Sequence, residues 1–289
     1  MIERITGKLS RSFGFSRDPW AFFFFAVLMT ITGVAVLGPV LSLHVPDAQQ
    51  ISQALSPPSA DHWFGTDLLG RDLLARVLQG ARFTLLIGIA STLFALILGT
   101  LTGSMAGYWG GWIDRLLLAV IDFFSIFPSL LMAILFSIVL GRGMTGILLS
   151  IGVVAWVQHA RLVRAQVIQA REMSYVESAQ ALGLGPWRIL LKHVLPNLKA
   201  VLIVSASAQI PSNILAESFL SFLGLGIQPP FASWGTLAAE GARALRTHPH
   251  LLFLPGGALF LTLLSVQYLG DWLTGRLTRR DQSTLTSRR

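Results

Sequence analysis

Apolar and polar residues follow one another along this chain in long blocks, without the charged face that soluble helices of similar length carry. Continuous apolar runs lie at roughly Trp20–Leu43, Phe83–Gly107, Leu116–Leu140, Met144–Val163, Ala200–Leu223 and Leu251–Leu273. A run of about 20 apolar residues is long enough to cross the hydrocarbon layer as a helix. Because the runs do not alternate apolar with polar, they argue for helices and against barrel strands. The pattern predicts an all-α membrane protein with six transmembrane helices. It divides the chain into an N-terminal segment 1–19, a first span 20–43, an intervening segment 44–82, a five-helix core 83–273 with a long loop 164–199, and a tail 274–289.

The polar blocks refine this layout. His44–Arg82 is rich in Pro, Ser, Asp and Gln, and its second half places Leu68, Leu69, Leu73, Leu74 and Val77 near helical spacing. That spacing predicts a short amphipathic helix on the membrane surface within Asp61–Arg82. Gly107–Asp114 and Gly141–Gly143 read as tight turns, whereas Arg164–Lys199 and Gly224–His250 are long connections, the kind that tend to carry function. Ala95, Gly99, Gly103 and Gly107 recur at intervals of four and form a small-residue face for close helix packing.

Composition supports the membrane reading. Hydrophobic residues make up 53% of the 289 and charged residues only 12%, too few to cover a soluble protein of this size. The net charge of +8 follows topology. With a cytoplasmic N-terminus, Arg4, Lys8, Arg11, Arg17, Arg115, Arg161, Arg164, Arg171, Arg188, Lys192, Lys199 and five tail arginines lie inside. Only Arg71, Arg76, Arg82, Arg142, Arg243 and Arg246 lie outside. Sixteen of the 22 basic residues are thus on one side, as the positive-inside tendency requires for two cytoplasmic termini. The basic residues are expected to meet anionic lipid and not nucleic acid. The first run is longer than a signal-peptide core and reads as an uncleaved helix.

Several chemistries drop out. The chain has no cysteine, which excludes disulfides, thiolate metal sites and cysteine nucleophiles. His248 and His250 flank Pro249 without an acidic neighbour, so no metal is expected there. No Gly-rich loop precedes Lys and Ser or Thr, so the chain lacks the backbone cradle that holds ATP phosphates.

The long loop is the most informative segment. Ser174 and Glu177 stand at capping-box spacing, and Val176, Ala179 and Leu182 form an apolar stripe at intervals of three. Gly183 and Gly185 allow the helix to stop, and Pro186 does not continue it. A second short helix, Trp187–Leu195, ends at Pro196. Such an element either docks on a partner surface or packs under its own helices.

Within the fifth run, Ser205, Gln209, Asn213 and Glu217 recur at intervals of four around Pro211, which places them on one stripe. A carboxylate facing lipid at mid-membrane costs about 3 kcal/mol, so the stripe faces protein or water. It is a candidate translocation path or a helix-packing seam. Asp122 in the third run poses the same choice, either path or ion pair with a residue such as Arg115 or Arg161.

Glu177, Ala179, Gly183, Leu195 and Pro196 match the cytoplasmic signature of ABC-importer permeases in spacing, with Ser178 and His193 as variants. HWFGTDLLGRDLLARVLQGAR (His62–Arg82) and ESFLSFLGLGIQPPFASWG (Glu217–Gly235), with Asp122–Pro128, resemble the C-type permeases of dipeptide, oligopeptide and nickel importers. The tail GRLTRRD (Gly275–Asp281) departs from the Asp-Pro-Arg that the family often carries. The resemblance implies a type I ABC-importer permease fold with a cytoplasmic coupling helix in a bacterial inner membrane. It implies an ATPase-coupling role for Ser174, Tyr175, Val176, Glu177, Ala179, Leu182, Gly183 and Pro186, with Leu195 and Pro196. It also implies a homologous B-type permease as heterodimer partner, two ABC ATPase subunits that bind ATP and Mg, and an external solute-binding protein. This chain itself would bind no cofactor and would not be an enzyme. Peptides are the leading substrate, with nickel, a metal chelate or a conjugate such as glutathione as alternatives within the family. A passive channel would have no use for a docking element, and an intramembrane enzyme would need a convergent catalytic constellation that Asp122 and Glu217, near opposite membrane faces, do not supply.

Overall fold

The computed structural model describes residues 18–41 and 44–286. Arg4, Lys8, Arg11 and Arg17 of the expected cytoplasmic N-terminus lie outside the described residues, as do Arg288 and Arg289 of the tail. The helices are α1 (Pro19–Leu41), α2 (Leu73–Trp109), α3 (Gly111–Ile126), α4 (Ser129–Leu140), α5 (Met144–Arg171), α6 (Ser174–Ala181), α7 (Pro186–Ile189), α8 (Leu195–Asn197), α9 (Lys199–Phe222), α10 (Trp234–Arg243) and α11 (His250–Thr286). A π-helical stretch, Leu190–Val194, joins α7 to α8. Among the described residues, α1, α2, α5, α9 and α11 are each long and apolar enough to cross a membrane, and α3 with α4 meet the same standard only as a bent pair, a geometry shared by broken spans and re-entrant loops.

The third apolar run is not one straight helix. α3 and α4 meet at a bend of 96° beside Pro128, which has no N–H to continue the ladder and forces the residue before it out of the helical region. Phe127 accordingly has an extended backbone, φ −92° and ψ 143°. The separate surface helix expected within Asp61–Arg82 is also absent. Residues 61–72 form turns, and 73–82 are the first turns of α2. Leu73, Ala75 and Val77 are buried there, so the helical spacing was read correctly but its apolar face is covered by protein. The fourth run extends past Val163 to Arg171, and the long connection 224–250 contains α10, capped reciprocally by Ser233 and Thr236.

The chain divides into two compact units. The first comprises residues 1–85, 221–224 and 228–289. In it α1 packs on α11, with the Phe24 and Tyr268 rings 4.8 Å apart. The start of α2 wraps α10: the Trp234 indole N–H donates to the Val77 carbonyl at 3.0 Å, and its backbone N–H to Thr84 Oγ1 at 3.1 Å. Beside it the buried Asp67 carboxylate accepts from Arg71 Nε at 2.6 Å and from Arg76 Nη1. Both guanidinium groups also reach Glu240 of α10.

The second unit, residues 86–220 and 225–227, holds α3 to α9 and the remainder of α2. The small-residue face of α2 lies against α5. A Cβ at Gly99 would stand 2.9 Å from His159 Cβ, one at Gly107 2.8 Å from the Arg164 carbonyl, and one at Gly103 would strike the Ala160 carbonyl. Only glycine permits this approach of two backbones.

Candidate functional site: a polar cavity and the element beneath it

α4, α5 and α9 line a half-open, mainly apolar cavity of about 800 Å³ within the second unit. Ser205, Gln209 and Asn213 of the interval-of-four stripe all line it, since a repeat of four drifts only slowly around a helix. Facing them are Gln158 and His159 from α5 and Ser129 from the start of α4. The His159 ring Nδ1 lies 2.8 Å from Ser205 Oγ and its Nε2 3.4 Å from Thr100 Oγ1, so one imidazole joins α2, α5 and α9. Gln209 Nε2 donates to the Ala155 carbonyl at 2.9 Å, while its buried Oε1 has no hydrogen-bond partner. Asn213 Nδ2 donates to Thr92 Oγ1 at 2.9 Å. The lining has no Asp, Glu, Lys or Arg side chain. It offers hydrogen bonds without fixed charge.

Two expected path residues lie elsewhere. Glu217 is fully buried and accepts from Ser218 Oγ at 3.3 Å, away from the cavity lining. Asp122 accepts from Arg161 Nη2 at 2.7 Å, the ion pair that was one of its two readings, and both side chains are largely exposed.

Residues 174–197 form a compact element against α5. Val176 and Ala179 pack with Tyr108, Val163, Val167, Ala170, Ile189, Leu190, Val194 and Leu198 in one apolar cluster. Leu182, third member of the expected stripe, points away and is 80% exposed. The stripe is therefore split between an internal seam and an outer tip. Ser174 does not act as the cap. Met173 occupies that position without a side-chain bond, and Ser174 is the first helical residue. At the other end Gly183, at φ +75°, closes the helix. Leu184 N–H donates to the Ala179 carbonyl at 3.2 Å and Gly183 N–H to Gln180 at 2.9 Å, the paired bonds of a Schellman ending. Leu184 then packs back on the cluster. Pro186 opens α7 in the first turn, where a missing N–H costs nothing. Leu195 is packed against the same cluster, and Pro196 sits in the first turn of α8. On the outward face Met173, Tyr175 and Leu182 are exposed apolar side chains with Glu177 exposed among them, whereas Trp187 packs on Trp109, ring centroids 4.6 Å apart, and with Leu191 lines an apolar groove against α2 and α9.

Residues 99–280 match the family model of the binding-protein-dependent transport system inner membrane component, well over half of the chain. The chain belongs to this family. It is 38% identical to the oligopeptide transport system permease protein OppC of Bacillus subtilis (strain 168) over 87% of this chain and 82% of that protein. It is 41% identical to the dipeptide transport system permease protein DppC of the same organism, over 87% and 79%. Its fold is similar to that in the structure titled inward-facing conformations of the MetNI methionine ABC transporter, with a TM-score of 0.56, 18% identity, and coverage of 70% of this chain and 95% of that one. The permease is thus a multi-spanning helical membrane protein with the type I importer fold. Both the cavity and the 174–197 element fall inside the family-matched region. Gln158 and His159 of this permease were not singled out from the sequence. The signal was present, since an ionisable side chain inside an apolar run is a functional candidate.

Proposed function

We propose that this permease forms half of the translocation path of an ATP-driven peptide importer. A homologous second permease completes the path, two ATPase subunits hold and hydrolyse Mg-bound ATP, and an external solute-binding protein delivers the peptide. Both termini face the cytoplasm of a bacterial cell. The observation that carries the substrate reading is a cavity of about 800 Å³ with mostly apolar walls, into which Gln158, His159, Ser205, Gln209 and Asn213 set a polar stripe without Asp, Glu, Lys or Arg. Amide and hydroxyl groups match the donors and acceptors of a peptide backbone whatever its side chains, and the volume suits a ligand of a few residues. A dehydrated nickel ion would call for several imidazole or carboxylate ligands, and the lining has one histidine. The relatives named for oligopeptide and dipeptide transport support the same reading.

Coupling follows from one helix. α5 carries Gln158 and His159 at the cavity and Val163, Val167 and Ala170 at the seam with α6. Residues 158 and 170 are about 18 Å apart along the axis at 1.5 Å per residue, so a push on α6 reaches the cavity wall through a continuous rod. The exposed side chains of Tyr175, Glu177 and Leu182 form the surface that meets the ATPase. ATPase closure tilts α5 and switches the cavity between two access states.

The test is to purify the permease with its co-encoded partners and measure ATPase activity and peptide uptake in proteoliposomes. Wild type is compared with Gly183→Asp combined with Glu177→Lys. Coupled hydrolysis and uptake in the wild type, with uptake abolished in the variant, supports the proposal. Uptake of nickel or glutathione in place of peptide would redirect the substrate reading. Absence of an associated ATPase would overturn the importer reading itself.

A further inference from the structure

We propose that His44, His62 and Asp72 form a binding site for one divalent transition-metal ion, with imidazole and carboxylate as ligands. One ligand atom from each of the three lies within 4.8 Å of the other two. The His44 and His62 rings lie face to face, with centroids 4.7 Å apart and planes 32° apart. His62 Nδ1 stands 2.9 Å from Asp72 Oδ2, and the other carboxylate oxygen accepts from the Ala75 N–H at 2.7 Å. That second bond caps the first turn of α2 and fixes the carboxylate. All three residues belong to the first compact unit.

Charge is what points to a metal. Asp72 is 6% exposed, and among the described residues the only cation-capable group within salt-bridge reach of it is His62. Asp67, its neighbour five residues away, is held by two guanidinium groups instead. A buried carboxylate needs a full positive charge nearby. A protonated His62 is one source of that charge; a metal ion held by both rings is another, and it is the one that also uses His44, whose tilted ring lies 4.7 Å from that of His62. A metal ion satisfies all three groups together, with neutral imidazoles as donors and the carboxylate charge offset.

Geometry permits it. Metal bonds near 2.0–2.2 Å place tetrahedral donors about 3.4 Å apart, so the site closes by about 1 Å from its present spread. His44 makes that adjustment: it lies just past α1, is half-buried, and has Nε2 2.8 Å from the Asp61 carbonyl. Gln53 Oε1, 3.0 Å from His62 Nε2, is placed to orient that ring. Imidazole with one carboxylate suits zinc, nickel or cobalt over magnesium or calcium. The bound ion ties the end of the first span to the start of the second.

The test uses the full-length permease purified with its partners and without a polyhistidine tag. It is dialysed against micromolar zinc and the retained metal is counted by mass spectrometry. Cobalt replaces zinc in a parallel sample to give a visible ligand-field spectrum. Wild type and a His248→Ala control should each hold about one equivalent, and His44→Ala should weaken binding by at least about tenfold. His44→Ala leaves the His62–Asp72–Ala75 cap untouched, so the variant folds and its elution profile should match wild type. Binding by wild type that survives unchanged in His44→Ala overturns the site, and so does wild type that retains no zinc and shows no cobalt spectrum.

Discussion

His159 Nδ1 and Ser205 Oγ, 2.8 Å apart, connect α5 to α9 at the wall of the polar cavity. His159 is almost completely buried, so Ser205 is half of the polar environment it has. An interhelical hydrogen bond of this kind is worth about 0.6–2 kcal/mol in a membrane protein. Ser205→Ala should therefore leave the chain assembled and stable, while peptide uptake falls several-fold because the ring that holds α2, α5 and α9 in register is loosened. Uptake in proteoliposomes, normalised to assembled complex, measures it. Uptake equal to wild type would remove His159 and Ser205 from the transport path.

The α2–α5 seam makes a sharper structural prediction. A Cβ at Gly103 meets the Ala160 carbonyl and Val163 Cβ, both fixed, and overpacking of that sort costs about 1–3 kcal/mol. At Gly257 in α11 nothing lies within 4 Å of the added atom, and alanine is the better helix former by about 1 kcal/mol. Gly103→Ala should lower the midpoint of thermal unfolding in detergent, and Gly257→Ala should leave it unchanged or raise it. The two variants are chemically identical, so the difference reads packing alone.

The long apolar runs were legible because membrane solvent imposes a coarse rule that length and hydrophobicity satisfy together. What was not legible depended on which neighbour covers a face. Leu73 and Val77 fit an amphipathic surface helix by period, but Trp234, more than 150 residues away, packs beside them. Val176, Ala179 and Leu182 form one stripe on paper, yet the Schellman turn at Gly183 leaves only the first two over the cluster beneath α5. Pro128 marks a helix that can kink, because it has no N–H to donate, but the size of the bend, 96°, does not follow from the proline alone. His159 has no periodic signal of its own, and its partners Thr100 and Ser205 lie 59 and 46 residues away and meet it only in the fold. The cluster of His44, His62 and Asp72 brings together residues up to 28 positions apart in sequence and needs the folded segment to assemble.

The Asp67–Arg71–Arg76–Glu240 cluster predicts an acid limit to stability. Burial alone would raise the Asp67 carboxyl, but the backbone N–H of Arg71 and the Arg76 guanidinium beside it hold it below its ordinary value of 3.8. A carboxyl depressed in the folded state contributes stability that is complete above its unfolded value and is lost as pH falls through the folded one. Between pH 8 and 5 this contribution is constant. It disappears only below 3.8. Asp67→Ala should cost about 3–5 kcal/mol at neutral pH, since it leaves two buried guanidinium groups with only the partly exposed Glu240 as carboxylate partner. The same variant should also lose the part of the acid-induced unfolding that wild type shows below 3.8. Glu240→Ala should cost less, because Glu240 is partly exposed and Asp67 still holds both arginines. Thermal unfolding as a function of pH separates the three proteins. Equal acid limbs in wild type and Asp67→Ala would mean that other carboxyls set the limit.

The split of the stripe between Val176 and Leu182 allows docking to be separated from folding. Val176 is fully buried against Val163, Val167 and Val194, so Val176→Asp places a carboxylate in an apolar cluster and should disrupt the 174–197 element, with loss of the assembled protein. Leu182 is 80% exposed, and Leu182→Asp removes almost no internal contact. Its effect on the isolated permease should be within about 0.5 kcal/mol. If the outward face docks the ATPase, the same substitution puts a charge into an apolar interface. It should weaken ATPase association by about tenfold or more, in the range of a typical interface anchor, and stop peptide uptake while the permease remains folded. Pull-down of the ATPase subunits with Leu182→Asp, alongside circular dichroism of the permease alone, measures both effects in one preparation. Loss of association with an unchanged spectrum assigns the outward face to docking. Retained association with full uptake would instead leave the element as an internal brace for α5, and the coupling route would then have to enter the permease elsewhere.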